Sequence, residues 1–229
     1  MAEALRQARP ARGRASAGGW QWSRTAETQR ALLDAAREVF TAQGFTSASI
    51  TDIVERAGSS VGTLYHHFGG KSELFLALWQ EYSEAQQDAS GEAVAQAQRA
   101  GVTDPLALFS AGAKAYLESC WQRRDLAALF RAGDAPPGFT SLVRADGCQW
   151  IAQVDSLHGL TGRSCDRLYV TILTSLMREG AHEVATAKNR RQATRVIGAV
   201  LEYARRLMAD GPWQPPAGLA TVSSPATAP

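Results

Sequence analysis

The residues best suited to chemistry lie between Ser49 and Lys71. Ser49-Ile50-Thr51-Asp52 and Ser59-Ser60-Val61-Gly62-Thr63 each set a hydroxyl just ahead of a run with apolar residues. A hydroxyl in that position accepts a hydrogen bond from a free amide in the first turn of a helix. The same free amides, with the positive end of the helix dipole, attract phosphate oxygens. Ser49, Thr51 and Ser60 are therefore read as caps, as phosphate donors, or as both. Val61, Gly62 and Thr63 are small. A helix whose first turn meets base edges in a major groove needs small residues there. Glycine inside a helix costs up to about 1 kcal/mol relative to alanine, so Gly62 needs a reason. Close approach to DNA is one; a tight contact with the preceding helix is the other. Tyr65, His66 and His67 follow the groove-entering turn, although Tyr65 could pack partly into a core and His67 could lie beside Phe68. Lys71 opens the next helix, and a phosphate contact is expected of it.

Other chemistries find no support. GxGxxG, GxxxxGK[ST] and HExxH are absent, and no pair of carboxylates has metal spacing. His182-Glu183 has no second histidine three residues on, and neither His158 nor His182 has a convincing co-ligand. No enzyme, metal or cofactor is expected. The three cysteines, Cys120, Cys148 and Cys165, form no CxxC or Cys/His cluster and read as free thiols of a reducing cytoplasm. No apolar run is long enough to span a membrane, and the first thirty residues lack the apolar core of a secretion signal. The formal net charge of +2 is unevenly spread: residues 1–30 hold six arginines against Glu3 and Glu27. A basic N-terminal arm suggests local contact with a polyanion. Arg12 or Arg14 could reach a minor groove or the phosphates, or the arm could simply be solvated.

Helices must position these residues. Leu32, Ala35, Ala36, Val39 and Phe40 predict one apolar stripe on a helix from Thr25 to Gln43, stopped by Gly44. Ser49 to Asp52 reads as a capping box. Ile50, Ile53, Val54 and Ala57 then form the face of a short helix ended by Gly58. A second short helix turns Leu64 and Phe68 inward. Two short helices with a glycine turn between them make a helix-turn-helix. A long helix should run from Lys71 to about Arg99. Further helices are read from Pro105, over 125–131, 139–160, 166–185 and 190–208, with a loop at 133–138. The chain is expected to be all-α, with about nine helices and no strands. The divisions are a flexible basic arm at 1–23, a helix-turn-helix domain at 24–72, a helical ligand-binding and dimerisation domain at 73–210, and a disordered tail at 211–229.

Residues 28–80 resemble the DNA-binding domain of the TetR family of transcription regulators. The most specific part is Gly62-Thr63-Leu64-Tyr65-His66-His67-Phe68 followed by Lys71, with Ala57-Gly58 at the matching distance upstream. One departure is Val61, where the family often carries Lys or Arg; Val61 could instead meet thymine methyls. The resemblance implies that Tyr65, His66 and His67 contact phosphate and sugar, with some base contact. It also implies a homodimer on double-stranded operator DNA, joined through 166–185 and 190–208 as a four-helix bundle. A pocket for a small apolar or amphipathic effector would draw on Phe109, Tyr116, Trp121, Phe130, Trp150, His158, Tyr169, Leu173 and Met177. Core packing is the other role open to each. The expected function is a repressor released from a palindromic operator by its ligand. The alternatives are an activator of the same fold, or a helical protein-interaction module with a degenerate helix-turn-helix.

Overall fold

A computed structural model of the protein describes the backbone of residues 17–143 and 164–209, and side chains from 25–143 and 167–209. The helices are α1 (Ala17–Ser47), α2 (Ile50–Arg56), α3 (Val61–Phe68), α4 (Lys71–Arg99), α5 (Pro105–Gln122), α6 (Arg124–Arg131), α7 (Ser164–Ala185) and α8 (Arg190–Ala209). A further helical stretch starts at 139–143. Among the described residues there is no strand.

The stripe read on α1 is its buried face: Leu32, Ala36 and Phe40 are fully buried, with Ala35 and Val39 beside them. Gly44 interrupts the helix with φ 81° and ψ 173°, a conformation that residues with a Cβ rarely adopt. The helix begins earlier than composition suggested. Residues 17–23, assigned to the arm, are helical in backbone, and no proline stands between Pro10 and Pro105 to stop propagation from the packed part of α1. The remainder of the arm, the tail and most of the 139–160 expectation lie outside the described residues.

Two cores result. The first joins α1, α2, α3 and the start of α4 to α6. Phe75 is its hub, with ring centroids 5.5 Å from Phe40, 5.2 Å from Phe45, 5.3 Å from Phe130 and 5.2 Å from Phe139. Edge-on arrangements at such distances suit the quadrupoles of aromatic rings. The second core is built from α5, α7 and α8 around Leu117, Cys120, Val184, Ala193 and Ile197. Here α7 and α8 touch closely, since a Cβ on Gly180 would lie 2.6 Å from a Val200 methyl. Helix α4 belongs to both halves: its first turns pack in the first core, and its later turns lie against α5.

Candidate nucleic-acid interface

Local hydrogen bonds set α2 and α3. The Ser49 hydroxyl accepts from the Asp52 amide at 3.0 Å. The Asp52 carboxylate turns to Gln43 Nε2 at 3.5 Å, so the capping box is made from one side. Ile53, Val54 and Leu64 are buried in the core that α2 and α3 share with α1 and α4. Gly58, at φ 60°, makes the turn between them. At the start of α3 the Ser60 hydroxyl accepts from the Thr63 amide at 3.1 Å and shares a 2.8 Å hydrogen bond with the Thr63 hydroxyl. Both hydroxyls are thereby held at the N-terminal end of α3.

The opposite face of α3 is open. Leu64 is fully buried, while Val61 is 44% and Tyr65 52% exposed. His66 is exposed and His67 half-buried, with their rings 5.1 Å apart. A Cβ on Gly62 would meet only Ser60 Oγ, at 3.9 Å. The preceding helix therefore does not require a glycine there, and of the two reasons offered for Gly62 the packing one is removed. Tyr65 is too exposed to be a core ring. Thr51 is exposed on α2 and Ser49 half-buried.

Lys71 departs from the sequence reading. Its ammonium donates to the carbonyls of Phe45 at 2.8 Å, Ala48 at 2.9 Å and Thr46 at 3.2 Å. It also lies 4.7 Å from the centre of the Phe45 ring. An ammonium has three donors, and all three have partners within the chain. Lys71 thereby closes the loop between α1 and α2, a role that the sequence reading, which expected a phosphate contact, did not include. Spacing could not reveal this, because the acceptors are backbone atoms about 25 residues upstream.

An open groove of about 540 Å³ lies beside this face, between α1 and the turn before α3, lined by Glu27, Thr28, Ala31, Ala57, Gly58, Ser59, Ser60 and Thr63. The candidate ligand residues are instead spread over packed cores. Phe130 belongs to the first core, where it seals α6 against Phe75 and Trp79. Tyr116, Trp121 and Met177 pack in the second core, Tyr169 and Leu173 in a smaller cluster, and Phe109 against both. Trp150 and His158 lie outside the described residues. Two polar features sit among these side chains. Gln86 donates to Cys120 Sγ at 3.0 Å in the interior, where burial pushes the Cys120 thiol up to about 11. Among the described residues the buried Tyr169 hydroxyl has no hydrogen-bond partner.

Among the described residues no helix is long and apolar enough to cross a membrane, and no cluster of three metal-binding side chains is present. A long first helix, a capped helix-turn-helix and a further helical body define the class to which this geometry belongs. Residues 32–78 match the family described as "Bacterial regulatory proteins, tetR family". The repressor AcnR of Corynebacterium glutamicum is 39% identical over 54 residues, covering 24% of this chain and 29% of that protein. The activator FasR of Mycolicibacterium smegmatis is 45% identical over 56 residues, covering 24% and 26%. The matches thus span less than a third of these curated relatives. A solved TetR-family regulator from Syntrophomonas wolfei superposes with a TM-score of 0.65 at 15% identity, over 86% of this chain and 99% of that one. Residues 32–78 are thus similar to the tetR-family model, and the described chain has the fold of solved tetR-family regulators.

Proposed function

We propose that the protein is a sequence-specific transcription regulator that binds a palindromic operator as a homodimer through α3. The observation that carries this is the outward face of α3. Val61 and Tyr65 stand in solvent beside a helix N-terminus, and among the described residues Gly62 has no neighbour that explains it. Such a first turn suits close contact with base edges. Val61 meets thymine methyls, Thr63 and Ser60 offer hydroxyls, and Tyr65, His66 and His67 face sugar and phosphate. Ser49 and Thr51 add contacts from the start of α2.

Dimerisation through α7 and α8 is supported by Leu168, Ile172 and Tyr203, which are 60%, 44% and 57% exposed. These are large apolar side chains that a second copy would cover. Two-fold symmetry is what lets two α3 helices enter successive major grooves, about 34–36 Å apart. The protein acts in the cytoplasm as a repressor that a small apolar or amphipathic effector releases. The unpartnered Tyr169 hydroxyl supports an effector with one polar group. Activation by the same fold is the second reading, favoured by the likeness to FasR.

Selection of bound fragments from random duplex DNA at about physiological salt tests the proposal. Enrichment of a palindrome is expected. Weak, salt-sensitive binding with no enrichment would leave the helix-turn-helix without its reading role.

A further inference from the structure

The loop after α6 reaches into the helix-turn-helix half. Both carboxylate oxygens of Asp134 accept from the Thr46 amide, at 3.1 and 3.0 Å, and the Thr46 hydroxyl donates to the same carboxylate. Thr46 lies two residues beyond the break at Gly44, on the segment that leads into α2. Lys71 holds that segment through its carbonyls, at Phe45, Thr46 and Ala48. The amide side is held by an acid and the carbonyl side by an ammonium, so one short stretch of backbone is clamped by opposite charges.

Gly44 is shaped for this clamp. Its φ of 81° disfavours a side chain, and a Cβ there would lie 2.5 Å from Asp134 Oδ2. Stopping α1 requires only the first of these properties; admitting the carboxylate requires both. A second tie runs in parallel. Arg37 of α1 makes a bidentate pair with Asp125 in the first turn of α6, at 2.7 and 2.9 Å. Arg37 and Asp125 hold the middle of α1, whereas Asp134 holds the segment that carries α2 and α3.

We propose that Asp134 is a positioning residue for the DNA-reading helix, coupling the seat of α2 and α3 to α6, which also packs against α7. A shift of α6 then reaches α3 through the Gly44–Thr46 segment as well as along α4. The consequence for DNA rests on the function proposed above; the positioning itself does not.

Asp134→Ala, Asp134→Asn and Thr46→Val test the inference in the full-length protein. Hydrogen exchange on free protein is expected to speed up by about tenfold at amides 46–68 in Asp134→Ala. Amides of α5 and α8 should keep the wild-type rate. Asp134→Asn, which retains one acceptor oxygen, should fall between the two. On the selected operator, Asp134→Ala should bind more weakly and tolerate half-site spacings altered by one base pair better than wild type does. Base preference within each half-site should stay the same, because no α3 side chain has changed. Unaltered exchange at 46–68, or acceleration spread equally over α5 and α8, would overturn the inference. So would equal loss of affinity at every spacing. Failure of wild-type protein to select any DNA would count against the proposed function and leave the exchange result to decide the positioning.

Discussion

At the scale of single residues, types were legible and partners often were not. Ser49 and Ser60 cap their helices as their positions imply, because a cap depends only on residues three apart. Lys71 looked like a free cation because its three carbonyl acceptors carry no side-chain signal. Its revised role is testable. Lys71→Ala should lower the unfolding free energy by about 1–3 kcal/mol, the cost of carbonyls losing their donors. Urea melts would measure this. The dependence of DNA binding on salt should hardly change, whereas loss of a phosphate contact would reduce its slope by about one. A stability-neutral Lys71→Ala with a reduced slope would restore the phosphate reading.

At the scale of elements, helix faces and breaks were read well where local signals are strong. Gly44, Ser49, Gly58, Ser60 and Pro105 all mark real boundaries. The N-terminal end of α1 was missed because Gly and Ser content there outweighed the absence of proline. Periodicity shows that a face is buried, not which core buries it, and the place of Phe130 in the first core was not legible. Two predictions belong to this scale. Ser49→Ala removes the cap of α2 and should cost about 1 kcal/mol, read as a shift in the urea midpoint. The Arg37–Asp125 tie should respond to acid. Burial raises the Asp125 pKa, but the hydrogen bond and charge of Arg37 outweigh it and hold the carboxyl below its ordinary value. A depressed carboxylate stabilises the fold above its unfolded pKa and loses that effect as pH falls through the folded one. Wild type should therefore lose more stability than Asp125→Asn as pH drops from about 5 to below the ordinary Asp value near 3.9. Both residues of the tie are partly exposed, so the difference should be small and shrink with added salt. Parallel pH curves for the two proteins would remove the tie from the account.

At the scale of the whole molecule, the all-α architecture was legible. The effector pocket was not. Aromatic residues at helical spacing look alike whether they line a cavity or fill a core, and those described mostly fill cores. The surface that a second copy would cover also emerges only from the structure, as Leu168, Ile172 and Tyr203 left exposed. Ile172→Glu should leave the monomer fold intact, shift light-scattering mass toward the monomer, and weaken binding to a full palindrome far more than to a half-site. A stable dimer with unchanged palindrome affinity would move the interface elsewhere.

The central claim is that the open face of α3 meets DNA, and Gly62→Ala tests it most directly. In the free protein the new methyl has room and improves helix propensity, so stability should stay level or rise by up to about 1 kcal/mol. On the operator the same methyl should collide with the groove and weaken binding. Thermal unfolding and operator titration of one variant would read both. Stability held or raised with affinity lowered is the predicted result. Unchanged operator affinity would contradict the claim.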